Sequence, residues 1–201
     1  MDNIKKNNPN LEVFDLSENM QLLQSPEIEE CEHGEGEHHH HEGPDPHIWN
    51  SISGAKTIAA NILKALQTLD KENSDYYQKN YEELLVEIDS TAQTIKQSLQ
   101  NIPSKTFIIY HPALTYFAAE NGLTQLCIEM DGKEPSPAQL KDLVKAAHYN
   151  DAKVVFIQQE FDQKNAELIA KETGCNLVRI NPLDYNWSKE MTLIAKALSN
   201  E

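Results

Sequence analysis

The chain has 201 residues, of which 39% are hydrophobic and 24% charged, and this composition fits one globular domain or one domain plus part of a second. Its net charge of -15 argues against binding to nucleic acid or anionic lipid, and no apolar run reaches the roughly 18 residues of a membrane-spanning helix. An acidic surface is compatible with collecting cations.

The N-terminal region contains neither the apolar core nor the small-residue cleavage site of a secretory signal. Taken literally, this predicts a cytosolic protein; the alternative is that a front portion of the chain is missing. Residues 11–16 alternate apolar and polar side chains, which predicts a short strand. An unpaired edge on such a strand would favour self-association.

Residues 24–47 form a polar stretch rich in glycine and proline, which predicts a loop. Between Glu27 and His47 the sequence has eight carboxylates and six histidines but no Lys or Arg. Imidazole is a usual ligand of zinc, nickel and copper, so the stretch predicts a loose site for more than one ion. The alternatives are an expression tag and a solvated loop that responds to pH. The histidines of this predicted auxiliary site are His33, His38, His39, His40 and His41.

The sequence Asp45-Pro46-His47-Ile48-Trp49 ends this stretch and predicts a more rigid ligand. Prolines on both sides of Asp45 stiffen the backbone, as a tight metal site requires of its ligands. Trp49 supplies an apolar anchor next to the histidine. We therefore predict that His47 is a primary metal ligand.

Helical spacing of apolar residues predicts one helix over residues 52–69 and a longer one over residues 73–102, with Asn73 as its cap. The longer helix would extend on the order of 40 Å, which suits a rigid connector between two lobes. A coiled coil is the competing interpretation.

After residue 103 the sequence alternates between strand and helix patterns, which predicts an α/β fold with a parallel four-stranded sheet flanked by helices. The predicted strands are residues 106–110, 123–129, 154–157 and 177–180, and the predicted helices are residues 112–120, 137–149, 163–172 and 188–199.

His111 follows the first predicted strand, at the edge of the sheet where open α/β proteins bind ligands. A buried structural histidine is the alternative, but the presence of His47 elsewhere in the chain favours a second metal ligand. His148 lies within a predicted helix and is expected to be a surface or packing residue.

No other reactive chemistry stands out in the sequence. Cys31, Cys127 and Cys175 form no CxxC pair, and we expect two of them to be buried and one exposed near the histidines. The sequence has no glycine-rich phosphate loop, no serine nucleophile elbow and no HExxH helix.

Taken together, these features resemble the metal-binding solute-binding proteins of bacterial ABC transporters, in the zinc and manganese group. The resemblance covers the His-rich acidic loop, DPHIW, the long helix, YHPALTYFAAENGL at 110–123 and GKEPSPAQL at 132–140. It implies two α/β lobes joined by a long helix, with one metal site between them to which His47 and His111 contribute. Manganese-selective members tend to have a carboxylate at the position of His111, so the imidazole here favours Zn²⁺ over Mn²⁺.

The sequence departs from the family in ways that bear on the site. It resembles a C-terminal portion: residues 1–72 would be a remnant of the N-terminal lobe, residues 73–102 the connecting helix and residues 103–201 the C-terminal lobe. Asn181 stands where the family often has an aspartate ligand, and Asp184 is a doubtful substitute. Gln158 replaces a frequent acidic residue after the third strand.

The resemblance implies a non-enzymatic protein that captures zinc and delivers it to the permease of an ABC importer. The full-length protein would be periplasmic or a cell-surface lipoprotein. Two alternatives remain: an intracellular metal-buffering protein, and a metal-dependent hydrolase or lyase. The hydrolase requires a carboxylate positioned near His111, and no carboxylate in the sequence is clearly so placed.

Overall fold

The computed structural model describes residues 2–24, 43–129, 133–161 and 163–199. The predicted auxiliary histidines and Cys31 lie outside the described residues. None of the helices in these described ranges combines the length and apolarity needed to cross a membrane.

A parallel four-stranded sheet with helices on both faces forms the centre of the fold, as the sequence predicts. The strands lie in the order β2-β1-β3-β4, so β1 and β3 are the inner pair. Both inner strands are buried along their whole length, which explains their uninterrupted apolar sequences. The strands are β1 Thr106–Ile109, β2 Thr124–Cys127, β3 Val154–Gln158 and β4 Asn176–Ile180.

The helices between and after the strands close the two faces of the sheet. Ser136 caps α5 (Pro137–Tyr149) in a capping box with Gln139, and Gly122 ends α4 (Thr115–Asn121) in a left-handed conformation. One core contains Phe107 and Phe156 in edge-to-face contact. The helices are α4 Thr115–Asn121, α5 Pro137–Tyr149, α6 Gln163–Thr173 and α7 Trp187–Ser199.

Two further helices precede the sheet, α2 Ile52–Leu69 and α3 Ser74–Ser98, with a short 3-10 turn between them. The buried side of α3 packs against α2 and α7 of the same chain, so the coiled-coil interpretation is wrong. The helix ends before the predicted residue 102, since Pro103 disfavours helical backbone in the residue before it. The side chain of Asn73 binds Asp70 and does not cap α3.

The predicted strand over residues 11–16 is wrong. The described N-terminal segment forms α1 Asp2–Asn7 and then irregular backbone that lies on α2. The side-chain amide of Asn61 donates to the carbonyls of Leu16 and Glu18, both at 3.0 Å, and Lys64 pairs with Glu18. Alternating apolar residues need a neighbouring strand to form a ladder, and here helix α2 takes its place. Residues 11–16 therefore present no unpaired strand edge through which the protein could self-associate.

Candidate metal centre

The two histidines that the sequence singles out meet at the carboxyl edge of the sheet. His111 directly follows Tyr110, whose N–H continues the β1 ladder by bonding the Phe156 carbonyl. His47 approaches from the segment that leads into α2. The Nε2 atoms of His47 and His111 are 3.4 Å apart, although the residues are separated by 64 positions.

This separation matches one edge of a tetrahedral zinc site. Two imidazole nitrogens at the usual Zn–N distance, about 2.0–2.1 Å, lie about 3.3–3.4 Å apart when the angle between them is tetrahedral. At a right angle, as in octahedral coordination, they would be about 2.9 Å apart. The observed 3.4 Å between Nε2 of His47 and Nε2 of His111 therefore suits tetrahedral binding.

Each imidazole is oriented by a carboxylate on its other nitrogen. Nδ1 of His47 lies 2.8 Å from Oδ1 of Asp45, and Nδ1 of His111 lies 3.1 and 3.2 Å from the two oxygens of Glu129. An ionised carboxylate can only accept a hydrogen bond, so these contacts suit the tautomer that carries its proton on Nδ1 and leaves Nε2 free to bind a metal ion. Carboxylate–imidazole–metal chains are the usual arrangement around zinc.

The Asp45 side chain holds His47 firmly. Asp45 is 1% exposed, and its Oδ1 accepts both the backbone N–H and the ring Nδ1–H of His47, each at 2.8 Å. Burial alone would raise the pKa of the Asp45 carboxyl, but hydrogen bonds, chiefly from the His47 ring, outweigh it and leave the pKa below its ordinary value. The Tyr116 hydroxyl also donates to the Asp45 carbonyl at 2.8 Å.

His111 is fixed mainly through its backbone and its ring face. The buried Gln158 amide donates to the His111 carbonyl at 2.7 Å, and its oxygen accepts the His111 N–H at 3.3 Å. Phe161 stacks on the ring, with centroids 5.6 Å apart. Gln158, a departure from the family pattern, thus fixes the backbone of His111, because its neutral amide has both a donor and an acceptor.

Trp49 fixes the His47 segment to the loop after β4. Its ring contacts His47 edge-on, and its Nε1–H donates to the Pro182 carbonyl at 2.9 Å. The Trp187 Nε1–H donates in turn to the Trp49 carbonyl at 2.8 Å. The predicted anchoring role of Trp49 therefore includes hydrogen bonds in addition to apolar contact.

Asn181 and Asp184, the doubtful ligands of the sequence analysis, lie in this same loop. Their side chains contact each other at 3.4 Å, and Asp184 also accepts the backbone N–H of Asn186. No hydrogen bond or ion pair within the described ranges joins either residue to His47 or His111. Across those ranges, no cluster of three or more His, Cys, Asp or Glu forms a metal site.

Glu129 is the site residue that the sequence analysis missed. It follows β2, which is the neighbour of β1, so parallel pairing brings it to the edge where His111 lies. Strand adjacency was the signal that could have found it. Glu129 is thus a carboxylate close to His111, but it contacts Nδ1 and not Nε2, so it does not stand where the base of a hydrolase would be needed.

No hydrogen bond or ion pair among the described residues joins Cys127, Cys175 or His148 to His47 or His111. Burial, with the nearby charges of Glu129 and Asp45, raises the pKa of the Cys127 thiol to about 12, so thiolate chemistry there is suppressed at neutral pH. Cys175 is buried, as expected for one of the cysteines. His148 is exposed on α5, which confirms its assignment as a surface residue.

A sequence profile described as "Zinc-uptake complex component A periplasmic" matches residues 1–200. The chain belongs to this family. It is 29% identical over 167 residues to the zinc-binding lipoprotein AdcA of Streptococcus pneumoniae (strain ATCC BAA-255 / R6), a match that covers 82% of this chain and 33% of AdcA. It is 31% identical over 142 residues to the high-affinity zinc uptake system protein ZnuA of Bacillus subtilis (strain 168), covering 70% of this chain and 44% of ZnuA.

The fold also agrees with solved members of the family. A crystal structure of ZnuA superimposes with a TM-score of 0.85 at 33% identity, over 99% of this chain and 72% of the ZnuA chain. This likeness extends over the sheet, its helices and the segments that hold the two histidines. The chain spans about a third of the length of the AdcA relatives it matches.

Proposed function

We propose that this chain captures Zn²⁺ and delivers it to the permease of an ABC importer, without catalysing a reaction. The observation that carries the proposal is the pair of Nε2 atoms 3.4 Å apart, each on a ring whose Nδ1 is bound to a carboxylate. Membership in a family described by zinc uptake supports zinc as the cargo.

The exposure of the two rings fits capture and release. The side chains of His47 and His111 are 17% and 33% exposed, so both rings are partly open to solvent. Two imidazoles leave two positions of a tetrahedral ion for other ligands or water. Such an ion can be transferred without dismantling a closed four-ligand cage.

We also propose roles for other parts of the chain on the basis of their sequence. His33, His38, His39, His40 and His41 would form an auxiliary site that collects metal ions at low affinity, since imidazoles and carboxylates are concentrated there. The helix α3 would connect the sheet domain to a preceding lobe. Relatives named as lipoproteins support a location outside the cytoplasm, periplasmic or at the cell surface.

Glu129 supplies the carboxylate near His111 that a hydrolase would need, but its orientation argues against that function. A general base must reach the water on the metal, whereas both Glu129 oxygens lie against Nδ1 of His111, on the ring side that faces away from Nε2. Glu129 is thus suited to orienting the ligand, which is what a binding protein requires.

Competition between metals tests the proposed cargo. In calorimetric titrations, we expect Zn²⁺ to bind tightly even in the presence of excess Mn²⁺, because two neutral imidazoles at a tetrahedral separation favour zinc. The exposed His148→Ala variant is the control and should behave as the wild type. Equal or tighter binding of Mn²⁺ at the same site would reject zinc as the cargo.

A further inference from the structure

A chain of three hydrogen bonds joins the backbones of the two ligand histidines, and Asn50 is at its centre. The Asn50 N–H donates to the His47 carbonyl at 3.1 Å. The Asn50 side-chain Nδ2–H donates to the Ala113 carbonyl at 2.8 Å. The Ala113 N–H completes the path by donating to the His111 carbonyl at 2.7 Å. Asn50 therefore holds two segments that are far apart in sequence at a fixed distance from each other.

The burial of Asn50 makes this link stiff. The residue is fully buried at the start of the turn into α2, where the Ser51 side chain caps the helix. On the other side, a Cβ at Gly54 would overlap the carbonyl of Ile48, so the helix is packed directly against the His47 segment. The Asn50 side chain has no room to adjust without moving one of the two segments that it joins.

Only the nitrogen of the Asn50 side-chain amide forms a hydrogen bond within the described residues. Its Oδ1 is buried and accepts no hydrogen bond from any described residue, an arrangement that costs free energy. An apolar side chain of similar size would avoid that cost, but it could not donate to Ala113. The useful part of the residue is thus the Nδ2 donor that reaches the His111 segment.

From these contacts we infer that Asn50 is a positioning residue that sets the separation of the two Nε2 atoms and thereby the selectivity for tetrahedral metal ions. The inference rests on the proposed role of His47 and His111 as ligands. A separation of 3.4 Å suits a tetrahedral zinc ion, whereas two nitrogens at a right angle around an ion with the same bond length would lie about 2.9 Å apart. When the link is lost, the two segments can approach or separate, so the tetrahedral ion loses its advantage.

The test compares Asn50→Leu with Asn61→Leu. Asn61 is a matched control because its Nδ2 also donates to backbone carbonyls, those of Leu16 and Glu18, on a side of α2 that bears no metal ligand. Affinities for Zn²⁺ and Mn²⁺ are measured by calorimetry, and the visible absorption of Co²⁺ reports tetrahedral geometry. Asn50→Ala, which is smaller, is measured as a second variant in case leucine prevents folding.

We expect Asn50→Leu to lower zinc affinity by about 10-fold, the low end of the effect of losing a partner bonded directly to a ligand ring, with a much smaller change for manganese. The intense tetrahedral Co²⁺ absorption should weaken, while Asn61→Leu should leave both the metal ratio and the spectrum unchanged. Folded Asn50 variants with the wild-type zinc-to-manganese ratio and Co²⁺ spectrum would overturn the inference. A wrong proposed function would give a different result: the His47→Ala and His111→Ala variants would then bind zinc as tightly as the wild type does.

Discussion

Replacing both His47 and His111 by alanine is expected to remove the tight zinc-binding step of this protein. The two Nε2 atoms are the only imidazole pair in the described ranges that faces a common point at metal-ligand separation. Loss of an outer-shell partner alone costs about 10–100-fold in affinity, so loss of a direct ligand should cost more than 100-fold for either single variant. Calorimetric titration with Zn²⁺ measures both the affinity and the number of ions bound.

The titration also separates this site from the auxiliary histidines. If these bind ions loosely, a weaker step should persist in the double variant after the tight step has disappeared. His148→Ala removes an exposed imidazole on α5 and serves as the matched control, with no change expected in either step. Unchanged affinity and stoichiometry in the double variant would show that the primary ligands lie elsewhere.

The carboxylates behind the two rings should matter to different extents. Asp45→Asn and Glu129→Gln each preserve the shape of the side chain but remove the charge that favours a protonated Nδ1 and a more basic Nε2. We expect a loss of about 10–100-fold in zinc affinity for each. Asp45→Asn should have the larger effect, since Asp45 is more deeply buried and binds His47 twice at 2.8 Å, whereas the Glu129 contacts are 3.1 and 3.2 Å.

Asp45 also predicts a pH dependence for the stability of the metal-free protein. Its folded-state pKa lies below the ordinary value of 3.8, so its contribution to the free energy of unfolding is present above that value. The contribution is lost as the pH falls below 3.8 and through the lower folded-state pKa. Urea denaturation at a series of acidic pH values should show this loss in the wild type and a smaller one in Asp45→Asn. Identical pH profiles for the two proteins would contradict the role given to the Asp45 charge.

Local sequence patterns predicted most of the fold because the elements after residue 103 carry their own signals. Continuous apolar runs marked the buried strands, and Ser136 and Gly122 marked helix ends through caps that act within one turn. The strand predicted over residues 11–16 failed because strand formation depends on a pairing partner, which no local pattern reveals. Asn73 lies at the N-cap position of α3, as predicted, but its side chain donates to Asp70 and makes no capping hydrogen bond.

The sequence could single out the two histidines that meet in the structure, but not the residues that support them. His47 and His111 stood out from their sequence context, and the structure brings their Nε2 atoms together. Glu129 and Asn50 carry no local signal, because their roles arise only when β2 pairs with β1 and when the turn before α2 packs against Ala113. From the sequence, Gln158 was notable only because it replaces an acidic residue. In the structure its amide binds both the N–H and the carbonyl of the His111 backbone.

Long-range proton–nitrogen NMR of the histidine rings can show directly whether His47 and His111 bind one zinc ion through their Nε2 atoms. The ring signals are assigned with the single variants His47→Gln and His111→Gln, and the wild-type protein is then titrated with Zn²⁺ to an equimolar ratio. We expect the nitrogen chemical shift of Nε2 to move to a metal-bound value in both His47 and His111. Nδ1 of each ring should keep its proton, which it donates to the carboxylate behind it. Unchanged Nε2 signals for either ring, or metal binding through Nδ1, would contradict this expectation.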